Sequence, residues 1–219
     1  MEPLSGQLVT LKNGAAARMA PERLAVLESS TTALRATGIE SSALKPGGQA
    51  PDLALDDALG DSVRLSNLWR SGPLVIVFYR GGWCPYCNLT LRAWQQRLPE
   101  LAYRNASLVA ISPQSPDNSL DTAEKNTLAY PVLSDSALEA ARAFGIAFDL
   151  TPDLVEIYKG LGNDLPVRNG NGHWALPVPA TFVIGHDGRI AFAHVDADYR
   201  QRAEPDDVLR VIDRLRGIR

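Results

Sequence analysis

Short runs of consecutive hydrophobic residues alternate along the chain with stretches in which hydrophobic residues recur every three or four positions. Residues 74–79 (LVIVFY) and 107–112 (SLVAIS) form the two clearest runs, and their β-branched content is typical of strands buried on both faces. Between these runs, Leu89, Trp94 and Leu101 belong to a series spaced like one face of a helix. The pattern therefore predicts strands that are separated by helices.

The same criteria predict the elements on either side of these runs. We expect helices over residues 15–40, 119–129, 138–144 and 151–163, and short strands over residues 53–55, 63–65 and 131–133. Residues 166–176, which are rich in glycine and asparagine, are predicted to form a loop.

A hairpin followed by a helix is predicted near the end of the chain. Residues 179–184 and 190–195 are strand-like and flank Gly185-His186-Asp187-Gly188, whose Asp-Gly pair is typical of a hairpin turn. The last helix is expected to begin near Glu204-Pro205 and to include Leu215. These elements together predict an α/β fold with a central mixed sheet covered by helices on both faces.

A polar linker divides the chain into two parts. Residues 41–52 (SSALKPGGQAPD) contain prolines and glycines and lack a regular pattern of hydrophobic positions. We expect residues 1–45 to form an N-terminal helical extension and residues 46–219 to form one α/β domain.

Composition and charge exclude several classes of function. Of the 219 residues, 45% are hydrophobic and 21% are charged, and the formal net charge is -3 with both signs mixed along the chain. Such a chain offers no basic face for nucleic acid or for an anionic membrane. Neither a membrane-spanning stretch nor the pattern of a signal peptide is found in the sequence. We therefore expect a cytoplasmic protein that binds neither nucleic acid nor membranes.

Both cysteines of the chain lie in one motif, Cys84-Pro85-Tyr86-Cys87, shortly after the predicted strand 74–79. Pro85 favours the first position of a helix, which places Cys84 at the N-cap. At that position, unpaired N–H groups and the helix dipole lower the pKa of a thiol from about 8.5 and favour a nucleophilic thiolate. Two cysteines at this spacing are also close enough to form a disulfide.

Zinc binding and an inert buried pair are the alternatives to redox chemistry. A zinc site would need two more ligands, and His173, His186 and His194 are not paired at the spacing of zinc ligands. The buried strand before the motif and the amphipathic helix after it favour a redox site. We expect such a site to need neither a metal nor a cofactor.

Three segments resemble a known family. Residues 78–87 (FYRGGWCPYC) are similar to the active-site region of thioredoxin-fold proteins, and residues 48–55 and 65–68 resemble the N-terminal part of peroxiredoxins. From Gly48 onward the chain thus resembles the peroxiredoxin-like proteins of the alkyl hydroperoxide reductase and thiol-specific antioxidant (AhpC/TSA) family. The resemblance implies a thioredoxin-like fold and a thiol-dependent peroxidase that reduces hydrogen peroxide or organic hydroperoxides.

The catalytic cycle that the resemblance implies uses the two cysteines alone. One thiolate attacks the peroxide and becomes a sulfenic acid, the other cysteine condenses with it to form a Cys84–Cys87 disulfide, and a thioredoxin-like or glutathione-like reductant restores both thiols. A thioredoxin-like disulfide oxidoreductase and a redox-sensing module without peroxidase activity are the alternatives. Dimerisation is common in the family, and the N-terminal helix either serves as a homodimer arm or packs on its own domain.

The two similarities assign the cysteine roles differently. In an alignment with peroxiredoxins from Phe78, Cys87 falls at the peroxidatic cysteine and Cys84 at the threonine of the family motif. In an alignment with thioredoxins, Cys84 is the attacking thiol and Cys87 the resolving thiol. Exposure of Cys84 at the helix tip would suit large disulfide partners, whereas the peroxiredoxin alignment predicts that Cys87 reacts first with a small peroxide.

The sequence departs from the peroxiredoxin pattern at two places. Arg80 replaces the proline of the family motif, and the arginine expected just before residues 181–184 (TFVI) is absent. Pro179 resembles the cis proline that packs beside the disulfide of thioredoxins. We therefore predict a cis Val178–Pro179 bond that lies against the cysteine motif, and we assign Pro179 to substrate binding.

Other side chains near the motif are candidates for supporting roles. Arg80 is a candidate for holding a thiolate or a peroxide oxygen, whereas Arg92 is expected on a solvated helix face. Trp83 and Tyr86 either shape a substrate groove or cover the core. The charged residues 196–205 resemble a segment found in peroxiredoxin-like proteins, but their sequence indicates only a loop before the last helix.

Overall fold

A seven-stranded mixed sheet lies at the centre of the computed structural model, which describes residues 2–217. In chain order the strands are β1 (Ala54–Asp57), β2 (Ser62–Arg64), β3 (Leu74–Phe78), β4 (Ser107–Ser112), β5 (Val132–Ser134), β6 (Ala147–Asp149), β7 (Ala175–Pro177), β8 (Ala180–Ile184) and β9 (Ile190–Val195). The central sheet has the strand order β2-β1-β5-β4-β3-β8-β9, and β6 and β7 form a separate antiparallel pair.

Helices lie before the sheet, between its strands and after it. In chain order they are α1 (Leu4–Ala16), α2 (Pro21–Ala36), α3 (Ile39–Ser42), α4 (Leu65–Ser71), α5 (Pro85–Gln96), α6 (Leu98–Tyr103), α7 (Pro116–Asn126), α8 (Glu139–Ala143), α9 (Pro152–Gly160), α10 (Leu165–Asn169) and α11 (Pro205–Leu215). Within residues 2–217, no helix combines the length and the hydrophobicity needed to cross a membrane.

Strand β3 occupies a central position in the sheet and carries the chain into the cysteine motif. It pairs in parallel with β4 and antiparallel with β8, and all five of its residues are buried. Ile76 and Phe78 pack in one hydrophobic core, whereas Val75 and Val77 pack in a second core on the opposite face. The prediction of a mixed sheet covered on both faces is therefore confirmed.

Helices of the N-terminal extension pack on the α/β domain. Helix α1 contacts α5, and α2 contacts α9. The carboxylate of Glu28 on α2 forms an ion pair with the buried Arg200, and that of Glu204 accepts a hydrogen bond of 3.1 Å from the backbone N–H of Leu4. The extension therefore contributes surface to the domain rather than standing apart from it.

Three predicted elements differ from the structure. The helix expected over residues 15–40 is two helices, α2 and α3, and α1 precedes them. The helix after the cysteine motif ends at Gln96, and Pro99 lies in the first turn of the separate α6, because proline cannot donate the N–H that would continue α5. The loop expected over residues 166–176 contains most of α10 and part of β7, which the fully buried Leu165 and Leu176 anchor.

Candidate active site

The cysteine motif lies where β3 leads into α5. Cys84 is the N-cap of α5 and Pro85 is its first residue, as the sequence predicts. The turn that precedes them requires glycine at Gly81, where φ is 143°. A Cβ atom at this position would lie 2.3 Å from the indole nitrogen of Trp83, so the tight turn leaves no room for a side chain.

Both thiols are free and inaccessible to solvent. The exposed fraction is 0% for Cys84 and for Cys87. The expectation that Cys84 is exposed at the helix tip is therefore wrong. Residues 199–202 approach the first turn of α5, and the ring of Tyr199 packs edge-on against Tyr86 with centroids 5.6 Å apart. This packing, together with the buried Arg80, keeps solvent from the helix terminus.

Arg80 is buried beside the first thiol. Its Nη2 lies 3.5 Å from Sγ of Cys84, and its Nη1 donates a hydrogen bond of 2.6 Å to the hydroxyl of Tyr158. The guanidinium also stacks 3.9 Å from the ring centroid of Tyr199. Its Nε is buried and has no hydrogen-bond partner within residues 2–217. The structure thus places this arginine where a positive charge acts on Cys84 at short range.

A second cation, Arg202, reaches the other thiol. Its Nη2 lies 3.6 Å from Sγ of Cys87, and its Nη1 donates to the backbone carbonyl of Gln201 at 2.7 Å. The same segment is held by Arg200, whose Nε donates to the carboxylate of Asp198 at 2.6 Å. Arg202 was not predicted from the sequence, although residues 196–205 stood out as a charged segment.

The two thiols share their electrostatic environment but differ in pKa. Burial raises the pKa of Cys84, but a hydrogen bond from the thiol of Cys87 counteracts it. The charges of Arg80 and Arg202 add to this effect, so that the pKa of Cys84 lies well below its usual value. Burial, the hydrogen bond to Cys84 and the negative charge on that sulfur raise the pKa of Cys87 well above its usual value. The pair therefore favours one thiolate, on Cys84, and one thiol, on Cys87.

Pro179 lies at a cavity wall rather than in a cis turn. No cis peptide bond occurs within residues 2–217, so the predicted cis Val178–Pro179 bond is wrong. The bond leads directly into β8, where Ala180 pairs with Phe78, and a trans bond suits this extended backbone. Pro179 and Arg80 do line the same cavity. Of the two features that resemble thioredoxin, the Cys-x-x-Cys segment and a cis proline, only the first is present within residues 2–217.

The other candidate residues surround the motif in different ways. Trp83 is half-buried, and its ring packs edge-on against Tyr158 with centroids 5.3 Å apart. Tyr86 is buried and belongs to the same hydrophobic core as the cysteines. Arg92 is exposed and donates to the side chain of Asn126 at 2.8 Å, as its predicted place on a solvated helix face implies. No cluster of three or more metal-ligating side chains is found in the described part of the chain.

A buried strand that leads into Cys-x-x-Cys at a helix N-terminus, with a lowered pKa at the first thiol, defines a thiol redox protein of thioredoxin-like fold. The chain belongs to the AhpC/TSA family, whose sequence model matches residues 46–193. This membership confirms the family resemblance of the active-site segment. It also implies a thiol peroxidase, an oxidoreductase that takes a peroxide and a thiol reductant.

Known relatives match over nearly their whole length. Peroxiredoxin Bcp of Escherichia coli K12 is 27% identical over 166 residues, which cover 76% of this chain and 94% of that protein. The crystal structure of peroxidoxin BcpB from Mycobacterium tuberculosis is 27% identical with a TM-score of 0.62, and the match covers 80% of this chain and 99% of that one. A peroxiredoxin-like protein from Aquifex aeolicus shares the fold at 14% identity, with a TM-score of 0.63 over 79% of this chain and 88% of that one.

Proposed function

We propose that this protein reduces peroxides through the pair Cys84 and Cys87, with Cys84 as the attacking thiolate, and that a dithiol such as thioredoxin recycles it. The observation that carries the proposal is the contact of 3.5 Å between the buried Arg80 and Sγ of Cys84. A buried cation at this distance stabilises a thiolate, which is the nucleophile that peroxide reduction needs.

Each step of the proposed cycle conserves atoms and electrons. Sγ of Cys84 attacks one peroxide oxygen, an S–O bond forms, the O–O bond breaks, and the leaving oxygen takes a proton to give water or an alcohol. The thiol of Cys87 then attacks the sulfenic acid, which releases water and forms the disulfide. A dithiol reduces the disulfide through a mixed disulfide and is itself oxidised. Arg80 is well placed to stabilise the negative charge that develops on the leaving oxygen.

Electrostatics favour Cys84 over Cys87 as the attacking group. Arg80, which contacts Cys84, is 6% exposed, whereas Arg202, which contacts Cys87, is only half-buried and is more strongly screened by water. Cys84 is also the N-cap of α5, where the helix dipole favours negative charge. This assignment differs from the peroxiredoxin alignment, which predicts that Cys87 reacts first, and a direct experiment on the two sulfurs decides between them.

The burial of both thiols favours a small peroxide over a large protein disulfide as the oxidant in the first step of the cycle. A protein disulfide must come within bonding distance of the thiolate, just as the proposed dithiol must later reach the Cys84–Cys87 disulfide, and both need residues 199–202 to move aside. A peroxide is small enough to enter a partly enclosed site, and it requires less displacement of residues 199–202. The trans Val178–Pro179 bond also removes the feature that most favoured a disulfide oxidoreductase.

We expect one equivalent of hydrogen peroxide to convert the reduced protein into a form with an intramolecular Cys84–Cys87 disulfide. The number of free thiols per chain should fall from two to none, and peptide mass spectrometry should locate the disulfide bond. The double variant C84S/C87S is the control and should consume no peroxide above background. Loss of thiols through intermolecular bonds, or their survival after peroxide treatment, would contradict the proposed cycle.

Reduction of this disulfide should leave the fold intact. The bond closes a loop of only four residues, so its effect on the entropy of the unfolded chain is small. Thermal melting of the oxidised and reduced forms should accordingly give midpoints within about 8 degrees of each other, because closing a loop of this length contributes about 2 kcal/mol and 1 kcal/mol shifts the midpoint by about 2–4 degrees in a protein of this size. A reduced protein that melts without a cooperative transition would make the bond structural.

A titration of thiolate ultraviolet absorbance should resolve two steps. The first thiolate should form well below the usual thiol pKa of about 8.5, because the hydrogen bond from Cys87 and the charges of Arg80 and Arg202 stabilise it, and the second should form well above that value. The Cys84 thiol stays ionised at every pH above its lowered pKa. The rate of peroxide reduction, which depends on this thiolate, should therefore persist as the pH falls below about 8.5 and decline only below the first titration step. The double variant C84S/C87S supplies the baseline, and two steps at the usual value would contradict the assigned electrostatics.

A further inference from the structure

We propose that a cavity between the N-terminal extension and the α/β domain binds the organic group of a hydroperoxide, and that its size selects a group near that of an aryl ring. The proposal rests on the peroxidase function proposed above. The cavity has a volume of about 140 Å³. Leu27 and Leu34 of α2 form one wall, and Phe148, Leu154 and Pro179 form the opposite wall.

The volume and the walls of the cavity define its ligand. An apolar protein cavity of about 150 Å³ is large enough to bind benzene. The cavity described here has nearly this volume and mainly hydrophobic walls, so an aryl or a short branched alkyl group fits it. A long acyl chain exceeds this volume and would leave its far end in solvent, whereas hydrogen peroxide has no organic group to place there. The preferred substrate class is therefore small aryl or branched alkyl hydroperoxides.

The cavity extends from solvent to buried side chains of the active site, and Cys84 itself is not among its lining residues. Its exposed lining residues include Thr37 and Asp149, whereas Arg80 and Tyr158 line it and are buried. Arg80 thus links the cavity to the thiol, since its Nη2 lies 3.5 Å from Sγ of Cys84. An organic group held in the cavity leaves the peroxide group at this inner end.

Arg80 has hydrogen-bonding capacity that the protein does not use. Its Nε is buried without a partner in the described part of the chain, although an unpaired buried donor is costly. A peroxide oxygen is an acceptor that would satisfy this donor. The unpartnered Nε and the adjoining apolar cavity match the two ends of an organic hydroperoxide.

The reaction at this site leaves the organic group where it was bound. The thiolate of Cys84 attacks the terminal oxygen of ROOH, the S–O bond forms and the O–O bond breaks. The electron pair leaves with RO⁻, which takes a proton to become the alcohol ROH. The product alcohol therefore keeps the group R, and it should bind the same cavity in the absence of any reaction.

Helix α2 contributes to the cavity from outside the residues matched by the family. The family match covers residues 46–193, and α2 lies outside it. The wall formed by Leu27 and Leu34 comes from the N-terminal extension, so the cavity depends on the packing of α2 against the domain.

Substitution of Ser30 by tryptophan tests the cavity. Ser30 lines the cavity from α2, and a tryptophan there should fill it. Ser29→Trp is the matched control, because Ser29 is exposed on the same helix and is absent from the lining. We expect S30W to lower the ratio of kcat/KM for cumene hydroperoxide to kcat/KM for hydrogen peroxide by about tenfold or more, a loss typical of a blocked hydrophobic subsite. S29W should change this ratio by less than about twofold. An unchanged ratio in a folded S30W protein would overturn the proposal.

A binding measurement separates this proposal from the peroxidase function. The product alcohol of cumene hydroperoxide, 2-phenyl-2-propanol, should bind the reduced protein and raise its melting midpoint, and S30W should abolish this shift while S29W retains it. If the wild type consumes neither peroxide, the proposed peroxidase function is wrong, and binding of the alcohol alone shows whether the cavity accepts an aryl group. If the wild type reduces peroxides but does not bind the alcohol, the cavity proposal fails alone. Displacement of the bound alcohol by glutathione would assign the cavity to the reductant and overturn the proposal.

Discussion

Replacement of Cys84 by serine is expected to slow the consumption of peroxide at least about 30-fold at pH 7. A thiol with a pKa of about 8.5 is only about 3% ionised at that pH, and burial holds the pKa of the remaining Cys87 above its usual value. Replacement of Cys87 by serine should leave the first oxidation nearly as fast as in the wild type, since a serine hydroxyl can still donate a hydrogen bond to the Cys84 thiolate. Stopped-flow mixing with hydrogen peroxide measures both rates.

The location of the trapped oxygen supplies a second readout. C87S should carry a sulfenic acid on Cys84 after one equivalent of peroxide, and a sulfenic-acid probe such as dimedone should mark it in peptide mass spectra. The double variant C84S/C87S should acquire no label. Rapid labelling of Cys87 in C84S, together with an inert C87S, would reverse the roles and make the peroxiredoxin alignment the correct one.

Loss of the buried guanidinium at Arg80 is expected to lower the rate of peroxide reduction by about a hundredfold, the cost typical of removing one donor that stabilises a developing negative charge. R80M retains hydrophobic bulk in the stack with Tyr199 but removes the charge beside Cys84. The pKa of Cys84 should rise toward its usual value, so the pH at which the rate reaches half its maximum should move upward.

Two further arginine variants control this experiment. R92M removes an exposed arginine of α5 that contacts Asn126 rather than a thiol, and it should change the rate by less than about twofold. R80K keeps a positive charge but lacks the planar guanidinium that contacts both Cys84 and Tyr158. Compared with R80M, it should therefore bring the pH profile close to that of the wild type but recover less of the rate. An R80M protein that reduces peroxide at the wild-type rate would remove Arg80 from the site.

Local patterns were sufficient to predict the elements that build the sheet and the reactive helix. The strand over residues 107–112 has the predicted bounds, and Pro85 placed Cys84 correctly at the N-cap of α5. Both features depend on the residues themselves, namely on a run of β-branched residues and on a proline that lacks an N–H. These patterns predicted an α/β fold with a mixed sheet, and the resemblance to the AhpC/TSA family predicted that this sheet belongs to a thioredoxin-like fold.

Features that depend on distant contacts could not be predicted in this way. Arg202 lies 115 positions from Cys87, and only the folding of the chain brings the two together. Strand β7 exists because it pairs with β6, although its own sequence follows a stretch rich in glycine and asparagine. The burial of Cys84 likewise depends on residues 199–202 and not on its place at the helix terminus. A charged segment in front of the last helix was the one available signal for Arg202.

The positive charges around Cys84 also bear on the equilibrium between this protein and the thiol pool of its cell. A thiolate exists only in the reduced protein, so every interaction that stabilises it favours the dithiol over the disulfide. Each unit by which the pKa of the thiol is lowered corresponds to about 1.4 kcal/mol, or about 30 mV for a two-electron couple, when the thiol is ionised. Arg80 therefore raises the reduction potential of the pair, which makes the disulfide of the proposed cycle easier for a cellular dithiol to reduce.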